Sequence, residues 1–137
     1  MSATNENRPS NLWDEKLWAF ANIKAARDFG LNTASELNNK AAEIIGLSTE
    51  QKEERAKNDK LRYVVTSEWS RTDLKNKGLI INENRGTGIW RLTSLGLHIR
   101  CNTYDTFLID YKQILKKGLG YLSRRGFHAP GRQITSP

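Results

Sequence analysis

Apolar side chains recur at helical spacing along much of this chain. With Ser10 as an N-cap and Asp14 and Glu15 in the first turn, Leu12, Trp13, Leu17, Phe20, Ala21 and Ile23 trace a stripe running to Phe29 and stopping at Gly30. Thr33-Ala34-Ser35-Glu36 is a capping-box pattern, after which Ala34, Leu37, Ala41, Ile44 and Ile45 share one face as far as Gly46. Ser48-Thr49-Glu50-Gln51 is a second such box, but the stretch through Asp59 has almost no apolar face and predicts a solvated helix or a linker. Leu61 to Lys77 predicts a further helix without one clean stripe: Trp69 and Leu74 lie about 140° apart, and Val64 and Val65 do not align with both. Tyr104, Phe107, Leu108, Tyr111, Ile114 and Leu115 recur at three- and four-residue steps and predict an amphipathic C-terminal helix broken by Gly118 and Gly120.

Between the last two helices the period changes. Gly78 ends one helix, Leu79-Ile80-Ile81 and Ile89-Trp90-Arg91-Leu92-Thr93 are rich in β-branched and aromatic residues, and Asn84 to Gly88 supplies the turn between them. Helix, glycine stop, strand, turn and strand, in that order, are a helix followed by a β-wing. The predicted fold is therefore mainly α with a small β-hairpin: a winged helix-turn-helix domain over residues 10–100, preceded by a disordered N-terminus at 1–9. An added amphipathic helix follows at 101–118, then a flexible basic tail at 119–137.

Charge adds direction to that architecture. The formal net charge is +7, but residues 1–50 carry 5 basic and 7 acidic side chains, against 17 and 8 in residues 51–137. A polyanionic partner accounts for the asymmetry, and a helix beside a basic hairpin suits duplex DNA. On the helix, Arg71 is the candidate for bidentate contact with guanine, Thr72 and Asn76 for further hydrogen bonds to bases, and Lys75 for a phosphate. At the wing, Arg85 between Asn84 and Thr87 is placed to reach a phosphate or the minor groove. Arg62, Ser67 and Arg91 complete the set near the helix and hairpin, and Arg124 and Arg125 in the tail add phosphate contacts. The expected partner is double-stranded DNA, without catalysis, cofactor or metal. The alternative is a protein-interaction or dimerisation module on the same scaffold, with a homodimer formed through the Tyr104–Leu115 helix.

Other chemistries find little support. Cys101 is the only cysteine, which excludes an intrachain disulfide and a thiolate zinc site. His98 and His128 have no ligand partners at metal spacing, and no phosphate-cradling GxxxxGK[ST] run is present. Asp105, Asp110 and Lys112 are the nearest imitation of a nuclease constellation, yet the two aspartates fall on different faces of the predicted helix. Trp13, Trp18, Trp69 and Trp90 sit at periodic apolar positions and read as core rather than as stacking platforms for unpaired bases. With neither a long apolar run nor a charged-then-apolar leader, the expected location is cytoplasmic, with no membrane association.

Two runs carry a family resemblance. Trp69-Ser70-Arg71-Thr72-Asp73-Leu74-Lys75-Asn76-Lys77-Gly78-Leu79-Ile80 resembles the N-terminal domain of the restriction-system protein Mrr, whose usual run is Trp, Ala, Arg, a short residue, an aromatic, Leu, two polar residues, Ala, Gly, Leu, Ile. Arg85-Gly86-Thr87-Gly88-Ile89-Trp90-Arg91-Leu92-Thr93-Ser94-Leu95-Gly96 is similar to the same family's Arg-Gly, Trp, Arg, aliphatic, Thr, two residues, Gly ending. The likeness is specific over residues 69–96 and extends loosely back to about Ala34. Thr66 replaces the family's arginine, Ser70, Asp73 and Lys77 replace small or aromatic residues, and the Arg-Gly turn is longer, so the relationship is distant. The resemblance implies a winged helix that binds DNA, joined in the family to a nuclease that cuts modified DNA. For this chain it implies a targeting or regulatory module of a restriction-modification or phage system.

Overall fold

The computed structural model describes residues 7–83 and 88–124, with side chains as far as Lys116. Six helices and one hairpin follow in the order α1 (Glu15–Asp28), α2 (Ala34–Ile45), α3 (Thr49–Glu53), α4 (Arg62–Asn76), β1 (Ile80–Glu83), β2 (Ile89–Leu92), α5 (Ser94–Leu97) and α6 (Tyr104–Arg124). This is a mainly helical, winged-helix-like arrangement carrying an added C-terminal helix.

At the centre lies α1. Every residue from Leu17 to Ile23 is buried, because α2, α4, α6 and β2 all pack on it. A helix enclosed on every side has no need of a clean polar face. Its N-cap is Asp14, whose carboxylate accepts from the backbone of Lys16 at 2.8 Å and Leu17 at 3.1 Å, and not the expected Ser10. The preceding residues form a turn instead: Trp18 Nε1 donates to the Leu12 carbonyl at 2.8 Å, and Trp13 stacks on Trp18 with ring centroids 5.9 Å apart. Both predicted capping boxes form, Thr33 with Glu36 and Ser48 with Gln51. Helix α3 has no buried residue, as its charged sequence requires.

Helix α4 explains its own irregular pattern. Its buried residues are Tyr63, Ser67, Ser70, Arg71 and Leu74, a regular helical face on which three members are polar. No apolar stripe marks the sequence because the inward stripe is partly hydrophilic. Trp69 departs from the expectation of core packing: it lies roughly 140° around the helix from that face and is 70% exposed.

After α4 the chain reverses at Gly78, which has φ 80°. β1 and β2 pair antiparallel with Ile80 opposite Leu92 and Glu83 opposite Ile89. The hairpin is tied back to the α1–α2 connection, since Ala34 N donates to Gly88 O and Trp90 N to Asn32 O, both at 2.7 Å. Thr93 does not continue the strand as expected; fully buried, it caps α5, accepting from Gly96 N at 3.1 Å and donating to Gly78 O at 2.6 Å. That corner leaves no room for a side chain at Gly96. An added Cβ would overlap the Leu79 carbonyl oxygen and press on Leu92 Cδ2 at 3.2 Å. Gly96→Ala is therefore expected to destabilise the domain by about 1–3 kcal/mol, measurable as a lower urea midpoint at unchanged slope. A midpoint equal to the parent's would mean that this corner relaxes freely.

Helix α6 packs its first turns on α1 through an aromatic cluster. Phe20 meets Tyr104 edge-on and Phe107 at a tilt, each at 5.6 Å between centroids, and Phe107 stacks on Tyr111 at 4.9 Å. The carboxylate of Asp110 holds Arg100 through Nε at 3.1 Å and Nη2 at 2.9 Å, fixing the loop that enters the helix. The helix continues through Gly118 and Gly120 to Arg124 instead of breaking there. A mid-helix glycine costs only about 1 kcal/mol against alanine, and both strand-forming runs and proline are absent until Pro130.

Candidate nucleic-acid interface

The predicted site residues separate into three groups. Thr72 and Asn76 are exposed on the outer side of α4, and Lys75 lies half-buried beside them. Arg91 is exposed on β2, with its Nη2 3.8 Å from Glu83 Oε2. These four lie on the element pair that the wing architecture brings together. Arg62 stands at the other end of α4, its guanidinium 3.3 Å from Glu54 and 4.3 Å over the Trp13 ring.

The second group is a correction. Arg71 is 1% exposed and Ser67 0%, so neither offers its side chain to a base. Arg71 Nη1 donates to Asn38 Oδ1 at 2.7 Å, Ser67 Oγ at 2.9 Å and Asn22 Oδ1 at 3.2 Å, while its guanidinium lies 5.4 Å from the Trp90 ring centroid. One side chain thus joins α1, α2, α4 and β2. No carboxylate touches it among the described residues; burial alone draws its pKa down to about 10, against a raising effect of Glu68, and it remains a cation at neutral pH. Three neutral oxygens, all at Nη1, and an aromatic face replace part of its water shell, and Nε has no partner among the described residues. Sequence spacing places Arg71 with Lys75 on an outer face. Its partners Asn22 and Asn38 come from other helices, and no local signal announces them.

The third group is not positioned. Asn84, Arg85, Thr87 and Arg125 lie outside the described residues, and Arg124 is the terminal residue of α6.

The charge distribution is sharper than the half-chain counts suggest. All 15 acidic residues lie at or before Asp110, whereas six of the 22 Lys and Arg residues come after it: Lys112, Lys116, Lys117, Arg124, Arg125 and Arg132. The body up to Tyr111 is thus almost neutral, and the positive surplus belongs to α6 and the residues C-terminal to it. Lys112 and Lys116 are exposed on that helix. This signal is present in the sequence and is obscured by dividing the chain at its middle.

Metal chemistry gains no geometry from these residues. Asp110 is engaged by Arg100, which holds its carboxyl below the usual range, and Asp105 accepts from the backbone of Asn7 at 3.3 Å. Among the described residues no group of three or more His, Cys, Asp or Glu side chains could hold a metal ion, and no helix is long and apolar enough to cross a membrane. His98 is exposed, its Nδ1 2.7 Å from the Ser94 carbonyl.

The family model of the Mrr N-terminal domain matches residues 19–100. That span begins within α1, ends just before α6, and contains α4, the hairpin and the buried Arg71. No curated protein and no solved structure gives a significant match.

Proposed function

The chain belongs to the Mrr N-terminal domain family, a restriction-system-related group, and from that premise we propose that it is a non-catalytic duplex-DNA-binding module. The observation that carries this reading is the segregation of charge: a nearly neutral winged-helix-like body continues into a helix whose charged side chains after Asp110 are all cations. The outer edge of α4 enters the major groove, where Thr72 and Asn76 hydrogen-bond base edges and Lys75 meets a phosphate. Arg91 braces the backbone from the hairpin. Lys112 and Lys116, with Arg124 and Arg125 beyond them, supply sequence-independent phosphate contacts. In such a division the body orients and the C-terminal cations hold, which suits the targeting piece of a restriction or phage system.

The test is an anisotropy titration of a mixed-sequence duplex across salt. Log affinity should fall linearly with log salt, at about 0.9 per phosphate contacted; no binding at low salt would sink the proposal. For base reading, Asn76→Ala should reduce discrimination at one base pair by about 1–3 kcal/mol, or 5- to 150-fold, with overall stability unchanged. Equal loss of affinity on every sequence would reassign Asn76 to the backbone.

A second reading, homodimerisation through α6, is favoured by the exposure of Ile109 at 56% and Leu115 at 40% on a helix whose other face is already packed. Light scattering decides it: a dimeric mass lost in Ile109→Lys supports the reading, and a monomer at all concentrations removes it.

A further inference from the structure

On the flank of α4 turned away from the hairpin, a cavity of about 240 Å³ opens between the start of α1 and the middle of α4. Its lining includes Trp13, Glu15, Thr66, Trp69, Ser70 and Asp73. We propose that it receives the basic side chain, lysine or arginine, of a partner polypeptide.

Four observations converge there. Trp69 holds a full indole in water at 70% exposure, on a helix where a polar residue would be cheaper to solvate. Ser70 lines the same cavity, 8% exposed, and its hydroxyl has no hydrogen-bond partner. The only ionisable groups in the lining are two carboxylates. Glu15 makes no ion pair among the described residues, while Asp73 is shared with Lys77 at 2.6 Å and with the Tyr111 phenol. Finally, a ring of this same wall already carries a cation: Trp13, stacked on Trp18, holds the Arg62 guanidinium at 4.3 Å.

A lysine or arginine side chain suits this wall: its methylene stem covers the Trp69 face, and its head lies within the field of Glu15 and Asp73. A nucleobase would also stack on Trp69, but it would bring phosphates toward two carboxylates, which opposes it. The site adjoins the proposed DNA-facing edge, since Thr72 and Asn76 follow Trp69 by three and seven residues on the outer side of α4, and its test is therefore made without DNA.

The experiment follows the four indole Nε1–H resonances of the full chain while capped tetralysine is added without DNA. The controls are a capped tetranorleucine peptide, compared at the concentrations its solubility allows, and a single-stranded oligonucleotide. Trp69→Phe and Trp13→Phe assign the two resonances of interest. Tetralysine is expected to shift the Trp69 and Trp13 signals saturably and leave Trp90, which is outside the cavity lining and packs on the buried Arg71, in place. Trp69→Ala and Glu15→Gln, both substitutions of exposed residues, should each weaken the response by roughly 3- to 30-fold without changing the thermal midpoint. The proposal is overturned if norleucine peptide shifts the signals equally, if the oligonucleotide moves them at lower concentration than tetralysine, if Trp90 moves alongside, or if nothing moves.

Discussion

Arg71→Ala is expected to lower the stability of the domain by about 3 kcal/mol or more, a large share of the roughly 5–15 kcal/mol typical of whole domains. The loss has two sources. Removing a nearly fully buried side chain empties the space between α1, α2, α4 and the Trp90 ring. It also deprives Asn38 Oδ1 of its donor and leaves Asn22 Oδ1 with only the Ser67 hydroxyl, 3.3 Å away. Arg71→Lys keeps the charge but not the planar fork, and is expected to recover only part of the loss. Urea unfolding of the three proteins measures this. The same substitutions separate the two roles the residue could have had. A base-reading arginine would change sequence preference at constant stability, so an Arg71→Ala protein as stable as its parent but with altered preference would overturn the buried assignment. Its DNA affinity, measured well below its unfolding temperature, should fall for all sequences alike, because the wing loses its anchor to α4.

The largest expected effect on binding comes from outside the family-matched span. Replacing Lys112, Lys116, Lys117 and Arg124 together with glutamine removes four of the six cations that follow Asp110. If each meets a phosphate, the log–log salt slope flattens by up to about 3.6, and affinity near 0.1 M salt falls on the order of 10²–10³-fold. Glutamine keeps the helix-forming tendency, and Lys112 and Lys116 are exposed, so each of these two substitutions should change stability by no more than about 0.5 kcal/mol. Anisotropy against several duplexes at four or five salt concentrations gives both quantities. An unchanged slope would place the phosphate contacts entirely on the body and the hairpin. A loss confined to one sequence would assign these side chains to base reading.

Local pattern carries much of the architecture. Both capping boxes, Gly46, Gly78 and the two strands of the hairpin stand where helix-stop and strand propensity put them, because each depends on residues within a few positions of one another. Within the family-matched span, the runs from Trp69 to Ile80 and from Ile89 to Gly96 meet at one tight corner, closed by Thr93 and permitted by Gly96. The aromatic face of α6 is equally legible, since its partner surface on α1 demands nothing but apolar side chains at helical spacing.

Where helical faces meet, spacing alone misleads. The missing apolar stripe on α4 is a real feature of the sequence, but its reason lies in Asn22 and Asn38, far away along the chain, which make a buried arginine tolerable. Spacing sends Trp69 inward and Arg71 outward, when the fold does the reverse. Periodicity says which residues share a side of a helix; which side faces the core depends on what the neighbouring helices offer. An alanine-lined groove would have rejected Arg71, whereas two amide oxygens, a hydroxyl and an indole face accept it. Short-range chemistry thus sets the elements and their ends. The orientation of a polar helix is set by long-range pairing of buried donors with acceptors, and that pairing comes into existence only when the chain is folded.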